Sequence, residues 1–272
     1  MKLYQACLAL AGAVLLTAAH AMPVRSQSAP VNPSNLTDAI TEFVVANRIL
    51  ADQRVIEDGF GHLSFRSPTA PDRFYMARAR GAGMVVADDV MEFDLDGRPI
   101  DEQGRRMFGE RFIHAEIYKA RPDVQAVVHS HASSVVPFGI TGKPLRPVAH
   151  MGGFLLHEVP VFEIRETGGN ETNMLVNSSV LGAALAKTLG QEAVVLMRGH
   201  GMAVVGTSMK QAVFRAIYTD VDARIQAEAQ KMGEVKALNE AEAAKVSATN
   251  DASIERSWEI WRYRALLNTP KL

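Results

Sequence analysis

The sequence predicts an α/β fold built as one large domain, and three observations carry that reading. Segments with helical spacing of apolar residues alternate along the chain with short segments of strand type. The 272 residues are 47% hydrophobic and 22% charged, ordinary globular values that suit one large domain better than two. No internal repeat is visible, and a chain of this size buries enough surface to hold a core without disulfides or a structural metal. The formal net charge is −1, which offers no basic surface to nucleic acid or to an anionic membrane. Polymer-binding functions are therefore not expected.

The first 21 residues read as an export signal. Met1-Lys2 is a short positive start, Ala6 to Ala18 is almost wholly apolar, and Ala19-His20-Ala21 has the small-x-small pattern of a signal-peptidase site. The apolar run is roughly 13 residues, short of the ~20 that span a bilayer, so no stable membrane anchor is expected. Cleavage after Ala21 would place the mature protein in the bacterial periplasm; an uncleaved interfacial helix is the alternative. The single cysteine, Cys7, lies inside this signal, so no disulfide framework is expected. Loss of Lys2 leaves 28 basic against 30 acidic groups.

Residues 22–35, rich in Pro, Ser and Asn, form a flexible lead. The main domain is expected over 36–230. Leu36, Ile40, Val44 and Ile49 fall on one helical spacing, predicting a helix over Leu36–Gln53. Gly59 and Gly61 mark a turn, and Leu63 and Phe65 alternate with polar neighbours as in a strand. Further strands are expected at Phe74–Met76, Val90–Leu95 and Arg98–Ile100, the last two joined by a tight turn at Asp96-Gly97. Glu110 to Ala120 is helical, with Ile113, Ile117 and Ala120 on one face, and Arg121-Pro122-Asp123 stops it. Val124–His131 and Val159–Ile164 read as strands, Val180–Leu189 as a helix closed by Gly190, and Val194–Met197 as a buried strand. Met209–Ala229 is a long helix, and residues 231–272 are a charged, alanine-rich helical extension.

Two histidine constellations and one carboxylate carry the chemistry. In a strand, residues two apart share a face, so His129 and His131 can present their rings to one cation at ~2.0–2.1 Å. Alternatively, the pair sits at a strand end and bonds water or carbonyls. In Arg198-Gly199-His200-Gly201, an apolar strand runs into a turn whose glycines can deliver His200 into a cleft. Solvated loop histidines are common, but His200 would add a third neutral nitrogen. Three protein ligands leave an open position for catalysis. Glu110 opens the helix that leads into the histidine strand. It could serve as an acid/base beside the metal, or simply as an acid favoured near a helix N-terminus.

Several segments together resemble the class II aldolase/adducin family. They are Glu110-Arg111-Phe112-Ile113-His114-Ala115-Glu116-Ile117-Tyr118, Arg121-Pro122-Asp123, His129-Ser130-His131 and Arg198-Gly199-His200-Gly201. Asp58-Gly59-Phe60-Gly61-His62-Leu63-Ser64-Phe65-Arg66 extends the likeness, which runs from about Leu36 to Ala229. The resemblance implies a central, mostly antiparallel β-sheet flanked by α-helices in three αβα layers, commonly assembled as a homotetramer. It implies that His129, His131 and His200 bind a divalent metal, zinc first, with manganese, cobalt or magnesium as alternatives. It also makes Glu110 the acid/base. Adducin, the non-enzymatic branch, lacks the metal histidines that this chain keeps.

Within the family, sugar-phosphate enzymes cradle a phosphate with a Gly-Asn pair, a Ser/Thr-Gly loop and Ser-Ser before the glutamate. Here those places read Gly61-His62, Ala79-Arg80-Gly81-Ala82-Gly83 and Phe108-Gly109-Glu110, without the hydroxyls. Arg78 and Arg80 stand there instead; their planar forks suit a carboxylate, unless they are surface charges. Met91–Gly97, Pro147–Phe154 and Phe214–Thr219 resemble the decarboxylase branch, which acts on hydroxylated aromatic dicarboxylates and a carboxymuconate semialdehyde. The chain departs from it at Gly81-Ala82-Gly83, where relatives tend to have Ala-Pro-Glu, and an export signal is unusual there. The implied activity is decarboxylation of a hydroxylated aromatic or muconate-type acid, through an enolate whose developing charge a metal stabilises. Aldol cleavage or dehydration of a non-phosphorylated hydroxy-carbonyl compound, and a non-catalytic metal-binding module, are the competing readings. His62, His150 and Tyr218 are candidate substrate-wall or proton-relay groups, or else structural hydrogen-bonding groups of the core.

Overall fold

The computed structural model describes residues 35–57 and 59–267. The expected export signal with Cys7, and the lead as far as residue 34, lie outside the described residues. Seven strands form one sheet in the order β3-β2-β1-β4-β7-β6-β5. They are β1 (His62–Arg66), β2 (Arg73–Ala77), β3 (Val90–Asp94), β4 (Ala126–Ser130), β5 (Val161–Phe162), β6 (Val194–Met197) and β7 (Gly201–Gly206). Every pairing is antiparallel except β5 with β6. The mostly antiparallel sheet expected from the resemblance is what forms.

Helices cover both faces. Among the described residues they are α1 (Leu36–Asp52), α2 (Arg111–Ala120), α3 (Val136–Thr141), α4 (Arg165–Gly168), α5 (Ser179–Leu189), α6 (Met209–Met232), α7 (Glu240–Asp251) and α8 (Ile254–Leu267). Alternate strand residues feed two cores. Leu63, Phe65, Val128, Leu196 and Val204 pack towards α1, α6 and α8, whereas Phe74, Met76, Val127, Val195 and Val205 pack towards α2 and α5. This is the three-layer arrangement. No helix among the described residues is long and apolar enough to cross a membrane.

Helix starts follow local chemistry. The side chains of Asn35, Ser178 and Ser208 accept backbone N–H bonds from Asp38, Leu181 and Gln211, which stops the first turns of α1, α5 and α6 from fraying. Gly190 closes α5 as expected. The buried face of α1 is set by Ala39, Phe43, Ala46 and Leu50; Leu36, Ile40 and Val44 are only half-buried at its flank. In α2 burial runs continuously from Ile113 to Tyr118, and Ala120 is exposed.

Several strand expectations are trimmed. The Asp96-Gly97 turn forms, but its second arm, Arg98–Ile100, is a single bridge between Phe93 and Pro99, because proline offers no N–H to continue the ladder. The Asp94 carboxylate also captures the backbone N–H groups of Asp96 and Arg98. Val159–Ile164 shrinks to β5, with Pro160 just before it. The 124–131 strand shrinks to β4, leaving His131 one residue past its end. No alternation marks β7, buried on both faces, yet it lies inside the sheet between β4 and β6.

Candidate metal centre

Three chain segments bring the histidines together at one end of the sheet. His129 sits on β4, opposite His62 of β1 and Ala203 of β7. Its Nδ1 bonds the Met202 carbonyl at 3.0 Å, which assigns the proton to Nδ1 and leaves the Nε2 lone pair free. His131 follows directly, after Ser130, whose hydroxyl points away and donates to the Val55 carbonyl. His200 lies in the turn between β6 and β7, with Gly199 at φ +64° and a Met197 carbonyl to His200 N–H bond of 3.0 Å. Gly201 must be glycine because a Cβ there would overlap the Ser130 carbonyl. That close approach seats His200 against the end of β4.

The resulting spacing is tight. The His131 Nε2 lies 3.1 Å from the Nε2 atoms of both His129 and His200. Glu110 Oε2 stands 3.6 Å from His129 Nε2 and 3.5 Å from His200 Nε2. Donors placed tetrahedrally at ~2.0–2.1 Å from one cation stand roughly 3.3–3.4 Å apart, so this spacing fits a single ion to a few tenths of an ångström. All four donor atoms lie within 4.8 Å of one another. The donor chemistry of three imidazole nitrogens and a carboxylate suits a divalent transition metal.

Glu110 occupies the N-cap position of α2, yet its side chain makes no cap hydrogen bond. It turns instead into the histidine cluster, 8% exposed, where its Oε1 accepts the Val176 N–H at 2.8 Å. Burial pushes its carboxyl up, but contact with the His129 and His200 rings outweighs burial and holds it far below the ordinary carboxylate range. Burial, with His129 and His200 close by, brings His131 down to about 4. His200 is buried too, which opposes its charge, but Glu110 and the Met174 carbonyl win and raise it. The unprotonated His131 ring matches what a ligand needs near neutral pH.

Of the expected wall groups, His62 has its ring against the cluster. Its ring lies 5.0 Å from that of His129 and 4.6 Å from that of Phe108. It opens a buried polar chain: His62 Nδ1 to His114 Nε2 at 2.6 Å, His114 Nδ1 to Ser64 Oγ at 2.6 Å, and Ser64 Oγ to Tyr118 hydroxyl at 2.8 Å. Burial, then repulsion from neighbouring imidazoles, keeps His62 well below its usual value and brings His114 down to about 3.

Arg78 and Arg80 meet at Asp89, at 2.5 Å and 3.1 Å. Arg80 leads into Gly81, which touches Gly59, so its loop adjoins the one bearing Phe60. The Phe60 ring, 63% exposed, lies 5.7 Å from that of His131 and walls the outer side of the cluster. Tyr218 packs between Phe214 and Trp261, and His150 is exposed at the start of a 3-10 turn. Residues that sequence reasoning passed over include Phe60, Met174 and Val176. His114 carried a signal, falling one helical turn after Glu110 on a buried face.

Residues 41–227 match the family described as the Class II Aldolase and Adducin N-terminal domain. Among curated proteins, the chain is 36% identical over 245 residues to the decarboxylase tropJ of Talaromyces stipitatus, covering 82% of this chain and 92% of that one. It is 30% identical over 212 residues to a 3,4-dihydroxyphthalate decarboxylase of Arthrobacter keyseri, covering 75% and 82%. In fold it is similar to an L-fuculose 1-phosphate aldolase from Glaciozyma antarctica PI12, with a TM-score of 0.70, 23% identity, and coverage of 85% and 91%.

Proposed function

The chain belongs to the class II aldolase and adducin family, and on that footing we propose that it is a metal-dependent carbon–carbon lyase, a decarboxylase of a hydroxylated aromatic acid. The observation that carries this reading is the convergence of three Nε2 atoms and one carboxylate oxygen from far apart in the sequence. The decarboxylase names of its relatives support the reaction.

His129, His131 and His200 would hold the divalent ion, and three imidazoles favour zinc. Such a cation supplies stabilisation for negative charge developing on a substrate oxygen. Glu110 is ionised at rest, so it enters as a base and takes the proton of a substrate hydroxyl. Glu110 delivers that proton to the ring carbon that bears the carboxylate, giving the keto tautomer. The bond to the carboxylate carbon then breaks, carbon dioxide departs, and the electron pair passes through the ring to the oxygen, which water re-protonates. Phe60 and Phe108 offer flat apolar walls to an aromatic ring. Arg80, with Arg78 beside it, would bind a second carboxylate through the guanidinium edges not used by Asp89.

We propose also that the protein is exported to the periplasm after cleavage behind Ala21, on the strength of the Ala6–Ala18 run. N-terminal sequencing of secreted protein should begin at Met22; an intact Met1 would refute it. A homotetramer is proposed from the family resemblance and from the exposed Phe60 and Ile140 near the centre. Light scattering on purified protein checks the mass, and a monomer would contradict it.

Carbon dioxide release from a panel of hydroxylated aromatic acids, with zinc-loaded protein, tests the activity. An aldehyde fragment without carbon dioxide would make the enzyme an aldolase instead.

A further inference from the structure

The loop between α4 and α5 touches two of the four centre residues through its backbone. The Met174 carbonyl bonds His200 Nδ1 at 2.9 Å, and two residues on, the Val176 N–H donates to Glu110 Oε1 at 2.8 Å. Met174 is one of the few non-glycine residues with positive φ, +66°. An unbranched side chain tolerates that conformation poorly, and a β-branched one worse. Local chemistry holds it there: the Thr172 hydroxyl accepts the Met174 N–H at 3.1 Å, and the Asn173 side chain accepts that of Leu175 at 3.1 Å. The Met174 methyl also covers Gly199, standing 3.1 Å from where a Cβ would be. The loop runs into α5, which packs closely on α2: a Cβ at Gly182 would overlap the Phe112 carbonyl. The helix that starts with Glu110 and the turn that carries His200 are therefore tied through one strained residue.

We propose that Met174 is a positioning residue for the metal centre. Its left-handed backbone aims the carbonyl at His200 Nδ1, which fixes the proton on that nitrogen and turns Nε2 towards the shared donor point. The same turn sets Val176 to hold one oxygen of Glu110, so that the other faces the histidines. What matters at position 174 is the backbone conformation, and the side chain is secondary. The inference rests on the metal reading above.

Cobalt(II) is the probe, bound to the full chain, with affinity read by chelator competition and geometry by the visible ligand-field spectrum. Met174→Val opposes positive φ and should weaken cobalt binding about 10–100-fold and shift the bands, with unchanged far-ultraviolet circular dichroism. Met174→Gly, which adopts the conformation freely, should stay near wild type in both readouts. Should Met174→Val not fold, Thr172→Val, which removes only the acceptor of the Met174 N–H, is expected to shift both readouts in the same direction. A folded Met174→Val, or in its place Thr172→Val, with wild-type affinity and spectrum would overturn the proposal. Equal damage in Met174→Gly would overturn it too, assigning the effect to the thioether contact on Gly199. Cobalt binding that survives His131→Ala, with Met174 unchanged, would instead sink the metal reading itself, and is recognisable as such.

Discussion

Glu110 has one oxygen held by a backbone N–H and the other facing two imidazoles, a division that suits the acid/base role proposed for it. Glu110→Gln keeps size and one acceptor oxygen but has no proton-accepting carboxylate. It should retain metal while turnover falls by on the order of 10²-fold or more; steady-state kinetics on metal-loaded protein decide this, and near-normal rates would move the role elsewhere. His129→Ala or His131→Ala should lose most bound metal by elemental analysis with circular dichroism unchanged. Unaltered metal content would disprove the assignment. These four residues were legible because their side-chain types, at these spacings, have few other uses in combination. Met174 and Val176 were not, since a carbonyl and an N–H are common to nearly every residue and leave no mark in the sequence.

Elements carry a second layer of constraint, shown by Asp222 of α6. Its buried carboxylate accepts the N–H groups of Val148 and Ala149, ahead of the 3-10 turn that begins at His150, and Gly152 lies against it so closely that a Cβ would overlap. Burial outweighs those bonds and pushes its carboxyl up to about 6. Between the ordinary carboxylate value and 6, the folded chain keeps a proton that the unfolded chain has released, so folded stability falls as pH rises through this window. Measured as the difference from Asp222→Asn, wild type should lose about 2–3 kcal/mol between pH 4 and pH 7. A difference flat across that range in denaturant melts would contradict it. Strand edges were the least readable elements: proline and a side-chain-capped turn cut Arg98–Ile100 to one bridge. β7 escaped notice because it starts and ends on glycine, a weak strand former, and has no alternation to display.

At the level of the whole molecule, the C-terminal helices are where composition misleads most. The stretch after residue 231 reads as charged and helical, but α8 lies on α1 and α6, with Ile254, Trp258 and Trp261 in the core. Burying each such side chain contributes at least ~1.5–3 kcal/mol, so their sum is comparable with the ~5–15 kcal/mol of net stability a domain has. A chain ending at residue 253 should be insoluble or molten, as judged by near-ultraviolet circular dichroism; a soluble, cooperatively melting product would show α8 to be dispensable. The same packing seats Tyr218 against Trp261.

Periodicity and residue chemistry were enough to locate most helices, several strands, and the histidines and glutamate that form the centre, because these depend on local spacing and on side-chain type. Convergence was another matter. That His200 comes within 3.1 Å of His131 depends on β7 running between β4 and β6, and on a glycine that lets two backbones touch. The orientations of the His129 and His200 rings depend on the Met202 and Met174 carbonyls, which accept their Nδ1–H bonds. Such contacts join residues distant in sequence, and they exist only once the chain has packed.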